Sequence, residues 1–211
     1  MYLKQGNKAM LIQRNYHEIR EQIQQGDVIA FSGKGHVSEL IKLFTLSPVS
    51  HVAIVMKDKQ LTNEGVLVTV NNIIESTTLN GFSGVAINRL SKRLVHYNGE
   101  VWWLPLSDKI RNKMDFDVFY DCLKKQKGKL YDSWQAIGAG FDFIPEQREA
   151  FDRFFCSELV TYPLEKSGGI PGTNCSEITP IELCRWNIYE NDYYQLSGDT
   201  KEIKRFNSIK M

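Results

Sequence analysis

Between Ser50 and Leu106 the apolar residues come in short runs of strand length, whereas before and after this stretch they recur every three or four residues. The runs are His51 to Met56, Val66 to Val70, Ile73 to Ser76, Val85 to Ile87 and Val101 to Leu106. Lys-Asp-Lys, Asn-Glu-Gly, Asn-Gly and Tyr-Asn-Gly segments separate them, which are turn chemistry. Connections this short join antiparallel neighbours, so the spacing predicts a meander. The flanks are helical. Ile12, Tyr16, Ile19 and Ile23 predict a helix over 8–25 stopped by Gly26, followed by a strand at Val28 to Phe31 and a short helix from Val37 to Phe44 that ends before Pro48. After the strands, Ile110, Met114, Val118 and Cys122 predict a helix over 108–127 with Gly128 as its stop. Further helices are predicted over 132–141, 146–154 and from Cys156 to Lys166, the last ended by Gly168-Gly169. Thr179-Pro180-Ile181-Glu182 opens another, with Thr as cap, Pro at the first turn and Glu three residues after the Thr. Tyr193 to Leu196 and Glu202 to Phe206 read as a closing hairpin. Helix, strands, helices in that order is an α+β chain. Its 211 residues form one domain, with an N-terminal helix (1–25), a strand-rich half (26–106) and a helical half (107–211).

Charge excludes some functions. Lys and Arg number 26 against 25 Asp and Glu, so no general field draws in nucleic acid or an anionic membrane. No run approaches the 18 or so apolar residues of a membrane span. The first eight residues hold no apolar core of signal-peptide length, so the chain is expected in the cytoplasm unless a virus or phage delivers it. The four cysteines, Cys122, Cys156, Cys175 and Cys184, are scattered, with no Cys-x-x-Cys pair; they read as free thiols in a reducing compartment rather than metal ligands. Neither a metal nor a cofactor is called for.

Three residues can carry chemistry. His51 heads an apolar strand, which puts its ring near the sheet rim. A lone histidine is ordinarily structural, and His17, His36 and His96, on polar faces or in loops, are read that way. Cys156 is expected to open a helix buried through Leu159, Val160 and Leu164. There the free amides and macrodipole would favour a thiolate and hold an oxyanion. Cys122 and Cys184 sit within helical patterns and fit a buried, inert thiol better. Glu75 ends a strand expected beside that of His51 and could orient the imidazole; alone it would read as an exposed strand residue. The stretch from Gln60 to Asn72 exceeds a tight hairpin, so Asn71, Asn72 or Glu64 are alternatives to Glu75.

Gly26-Asp27-Val28-Ile29, Ser50-His51-Val52-Ala53-Ile54-Val55, Ile74-Glu75, Tyr131-Asp132, Cys156-Ser157-Glu158-Leu159-Val160 and Thr179-Pro180 together resemble the circularly permuted, NlpC-type papain-like cysteine peptidases and amidases, in their YiiX-like branch. In ordinary papain-like enzymes the Cys helix precedes the His strand; here Cys156 follows His51 by 105 residues. The resemblance runs from Gly26 to Leu183. It implies an antiparallel half-barrel sheet packed on helices, with Cys156 as nucleophile, His51 as base and Glu75 as orienting acid. Tyr131, and less directly Ser157, would serve the oxyanion or substrate. Pro163, seven residues past Cys156, is a departure, since proline removes a helical hydrogen bond. The implied activity is hydrolysis of an amide, peptide (a cell-wall peptide among them) or related acyl bond, with a peptide or small acyl compound as substrate. A thiol acyltransferase, a lipid deacylase and a catalytically silent peptide- or lipid-binding domain of the same fold are the alternatives.

Overall fold

The computed structural model describes residues 9–34, 47–79, 82–129, 148–173 and 178–211. The helices predicted over 37–44 and 132–141, together with His36, Tyr131 and Cys175, lie outside these. Seven strands form one sheet: β1 Met10–Gln13, β2 Val28–Gly33, β3 His51–Leu61, β4 Leu67–Leu79, β5 Phe82–Arg89, β6 Gly99–Leu104 and β7 Asp192–Ser197, in the order β1-β7-β6-β2-β3-β4-β5. Among the described residues the helices are α1 Tyr16–Ile19, α2 Leu90–His96, α3 Asp108–Arg111, α4 Phe116–Gln126, α5 Arg148–Lys166 and α6 Pro180–Arg185. The chain is a mixed α+β protein.

The central strands explain the continuous apolar runs. Every residue of β2 and of β6 is buried, because helices cover both faces of the sheet. On one face Val28, Ala30, Val52, Ile54 and Trp102 pack with α4, α5 and α6 through Phe119, Leu123, Leu159, Val160, Leu183 and Cys184. On the other, Ile29, Phe31, Ala53, Val55, Ile73 and Trp103 pack against Ile19, Ile23 and Leu90. The alternation is the pleat of the strands, and it decides which side chains meet at the site.

The predicted meander is correct in that β3, β4 and β5 pair antiparallel in sequence order, but the runs predicted as two strands at Val66 to Val70 and Ile73 to Ser76 are one strand, β4. It fails at β6. That strand pairs with β2 and β7 rather than β5, because α2 carries the chain away from the sheet edge between them. The sheet is also not wholly antiparallel: β1 pairs with β7 parallel. The helix predicted over 8–25 is instead β1 plus the single turn α1, which Asn15 caps by accepting a hydrogen bond from the His17 amide. Met10, Leu11 and Ile12 form a run short enough to be either element, and the open edge of β7 takes it as a strand. The helix predicted over 108–127 is two, because Asp115 accepts from the Asp117 and Val118 amides and starts a second helix, whose buried face is Phe119 and Leu123 rather than the predicted Val118 and Cys122.

Residues 202–206 are not a strand. Arg205 and Asn207 adopt left-handed backbone, and Phe206 turns inward onto Tyr189 and Tyr193, with ring centroids 5.5 and 4.3 Å away. Helix α6 begins with the expected capping box between Thr179 and Glu182. Helix α5 runs through Pro163 and stops at Gly168, whose φ of +83° lets the Gly169 amide reach back to the Leu164 carbonyl.

Candidate active site

His51 is the first residue of β3, directly opposite Phe31 of β2. Its backbone is pinned by Ser50, whose amide and hydroxyl both donate to the Phe31 carbonyl, at 2.8 and 3.3 Å; the Gly33 amide donates to that same hydroxyl at 3.2 Å. The ring lies 5.4 Å from the Phe31 ring and is 19% exposed, so it is held but reachable.

Glu75 reaches that ring. In the β3–β4 ladder Ile54 faces Ile74, which carries Glu75 to the same end of the sheet as His51. Its side chain is fully buried, and its Oε2 accepts from His51 Nε2 at 2.9 Å. A buried carboxylate needs donors on both oxygens. Here Oε1 accepts from Asn88 Nδ2 and from Arg93 Nε, each at 2.9 Å, and Oε2 also accepts from Arg93 Nη2 at 3.4 Å. Burial pushes the Glu75 carboxyl up, but the His51 hydrogen bond and charge, then the Arg93 guanidinium, bring it down to about 2.

The alternatives to Glu75 are used elsewhere. The surplus length from Gln60 to Asn72 extends both strands, with Leu61 paired to Leu67. Asn71 donates to the Arg20 carbonyl at 2.7 Å and to the Tyr16 hydroxyl at 3.3 Å. Asn72 lies between Met56 and Arg89 in the ladders, and Glu64 is exposed in the hairpin turn.

Cys156 meets the same histidine from α5. It is fully buried, and its side chain hydrogen-bonds the His51 ring. Burial lowers the readiness of His51 to hold a proton. The hydrogen bonds to Cys156 and then Glu75, with their negative charges, outweigh it and raise the imidazole to about 9. An imidazole raised this far holds its proton at neutral pH, between the Cys156 sulfur and the Glu75 carboxylate.

One expectation about Cys156 is corrected. It does not open a helix: α5 begins at Arg148, so the Cys156 amide lies inside the hydrogen-bonded ladder and is not one of the free amides of a helix start. No glycine, proline or capping residue separates Phe154 from Cys156, so the two predicted segments join. The charge beside the sulfur is that of His51, not of a helix terminus. Ser157 is also buried, and its hydroxyl donates to the Ile178 carbonyl, which ties α5 to the segment before α6.

Cys184 is a contrast. It is fully buried, and burial, with Cys156 nearby, pushes its thiol far above the usual range. Cys122 is partly buried in α4, and neither it, Cys156 nor Cys184 is in a disulfide. His17 and His96 are exposed. Asp27 belongs to a separate buried hub at the far end of β2. It accepts from the Gln24 and Leu106 amides, Trp103 Nε1 and Arg111 Nη2 at 2.6–2.9 Å, which fixes the β2–β6 end of the sheet.

Sequence reasoning missed Arg93 and Asn88. Only Leu90 and Leu94 of α2 recur at helical spacing, with Val95 beside them exposed, too few apolar positions to be read as a helix. Asn88 is signalled by the pleat: Glu75 pairs with Ala86 and Ile73 with Asn88, so Asn88 lies diagonal to Glu75 on the same face.

Among the described residues no cluster of three or more His, Cys, Asp or Glu could hold a metal ion, and no helix is long and apolar enough to cross a membrane. No family model and no curated protein matches the chain. A solved structure to which it is similar is the metalloprotein yiiX of Escherichia coli O157:H7, with 22% identity over 71% of this chain and 68% of that one, at a TM-score of 0.44.

Proposed function

We propose that this chain is a cysteine hydrolase of the circularly permuted papain-like kind, cleaving an amide, peptide or related acyl bond with Cys156, His51 and Glu75. The observation that carries the reading is the His51 ring, hydrogen-bonded both to the buried Glu75 carboxylate and to Cys156. A structural histidine needs neither a thiol partner nor a buried ionised acid. Since Nε2 is given to Glu75, Nδ1 is the nitrogen assigned to the sulfur proton.

In this reaction His51 holds the proton of Cys156 on Nδ1 as an imidazolium, and the Cys156 thiolate attacks the carbonyl carbon. The tetrahedral adduct collapses when the imidazolium gives that proton to the leaving nitrogen, releasing an amine and leaving a thioester on Cys156. Water then attacks the thioester, His51 takes its proton, and the acid departs with the thiol restored. Glu75 accepts the Nε2–H throughout and fixes the tautomer, while staying ionised itself. Tyr131 is assigned to the oxyanion on the resemblance alone.

The test is acyl-enzyme trapping. The protein is incubated with a panel of peptide amides, cell-wall muropeptides and lipid acyl esters, quenched in acid, and mapped by mass spectrometry. A thioester on Cys156, absent in Cys156→Ala and slow to form in His51→Ala, is expected with at least one substrate. Turnover that survives in Cys156→Ala would overturn the reading. Transfer of the acyl group to an added amine in preference to water would make the enzyme an acyltransferase.

A further inference from the structure

Four side chains from four elements meet in series: Arg93 of α2, Glu75 of β4, His51 of β3 and Cys156 of α5. The Arg93–Glu75 contact is a two-pronged fork, with Nε on one carboxylate oxygen and Nη2 on the other. Such a fork fixes the plane of the carboxylate, which a point charge does not. The guanidinium carbon lies over two rings, 4.8 Å from the Tyr97 centroid and 5.4 Å from that of Phe31, and Phe31 also packs on His51. Arg93 is 13% exposed, so solvent screens the pair little. Asn88 completes the cradle from β5.

We propose that Arg93 is a positioning residue, whose guanidinium fork fixes the Glu75 carboxylate and, through it, the His51 ring against Cys156. The cradle sets the ring angle and keeps the acid charged while His51 gains and loses its proton. The ionisable groups facing Glu75 are His51 from β3, Arg93 from α2 and, just after it, Tyr97; the group facing His51 from α5 is Cys156. Arg93 is the only permanent cation among them. The catalytic part of this inference rests on the hydrolase reading; the electrostatic part does not.

The experiment compares Arg93→Gln and Arg93→Lys with wild type by three readouts. These are the carboxyl ¹³C titration of Glu75 (assigned with Glu75→Gln), the ring ¹⁵N–¹H signals of His51, and turnover on whichever acyl substrate is found. In Arg93→Gln the Glu75 midpoint should rise by roughly 1 to 3 pH units. In Arg93→Lys the charge stays but the fork is lost. Glu75 should then remain ionised to lower pH than in the Gln variant, while the His51 ring signals broaden or shift and kcat falls roughly ten- to a hundredfold with little change in KM. A role confined to packing on Phe31 and Tyr97 would lower thermal stability and leave the Glu75 midpoint of the folded protein where it was. That result refutes the proposal, as do wild-type ring signals and wild-type turnover in Arg93→Lys, even if Arg93→Gln fails to fold. If the titrations move as stated but no acyl substrate is ever turned over, the positioning stands and the hydrolase reading fails.

Discussion

Glu75→Gln should destabilise the protein as well as slow it. The amide keeps the shape of the acid but removes the carboxylate charge paired with Arg93, which is 13% exposed. Breaking a buried pair by deleting one partner costs about 3–5 kcal/mol, because the remaining charge is left in a poor solvent. The Glu75 carboxyl gives an independent magnitude. Its fall from 4.5 to about 2 corresponds, at about 1.4 kcal/mol per pH unit, to about 3 kcal/mol of folding free energy at pH 7. The group is more acidic folded than unfolded, so this stability is present above about pH 4.5 and is lost as pH falls through about 2. For a chain of 211 residues, about 3 kcal/mol is a drop in Tm of roughly 6–12 °C. Thermal melts followed by circular dichroism at pH 7 and in steps down to pH 2.5 read both effects. The two proteins should differ most at pH 7 and converge in acid. An unchanged Tm at pH 7, or a gap that persists undiminished at pH 2.5, would refute the reasoning. Removing both charges, in Glu75→Gln with Arg93→Met, should recover part of the loss.

Limiting iodoacetamide at pH 6–7 should modify Cys156 before Cys122 or Cys184, read by peptide mapping, because Cys156 alone has an imidazolium partner while burial pushes the Cys184 thiol up. His51→Ala should slow that alkylation at pH 6 by at least about tenfold; an unchanged rate would show that the ring does not activate the sulfur. His51 is raised from 6.5 to about 9, so its contribution to stability is full below about pH 6.5 and is lost as pH rises through about 9; denaturant melts across that window should show the loss in wild type and not in His51→Ala. Asp27→Asn should cost roughly 3 kcal/mol in urea melts by leaving Arg111 without its carboxylate, yet leave the rate of Cys156 alkylation unchanged, since the hub lies at the other end of β2.

The parts of the molecule legible in the sequence are those set by local pattern. β2, β3 and β6 announce themselves because two-sided burial makes their residues continuously apolar, and α6 because Thr179 and Glu182 cap it within four residues. The His51–Glu75 contact was legible because a hairpin brings the end of β4 back to the start of β3. What failed depended on distant partners. β1 is a strand only because β7, some 180 residues later, offers an edge, and β6 leaves the meander because β2 offers one too. Arg93 could not be singled out: nothing in Ser91-Lys92-Arg93 says which cation will fold under the sheet. The start of the Cys156 helix was misplaced for the opposite reason, since local pattern suggested a boundary where no residue breaks the helix.

That misplacement changes how the sulfur is activated. A thiolate at a helix start is stabilised by amides that stay put, whereas Cys156 lies inside α5 and depends on the charge of one ring. The ring must then hold its proton by other means, which the buried series supplies. Arg93 offsets Glu75, so the acid can remain ionised out of water; Glu75 in turn favours the imidazolium, and the imidazolium faces the sulfur. With the proton on His51 and a thiolate on Cys156, the four charges alternate and sum to zero. That is the least costly way to keep several charges in a low-dielectric site. An acid at 75 and an arginine at 93 therefore belong together. A neutral amide at 75 suits an imidazole that needs only orientation; in this chain it would strand the guanidinium beneath it. The fully buried acid is the member of the site that links folding to the protonation of His51, and so stability and thiol reactivity should move together when either end of the series is changed.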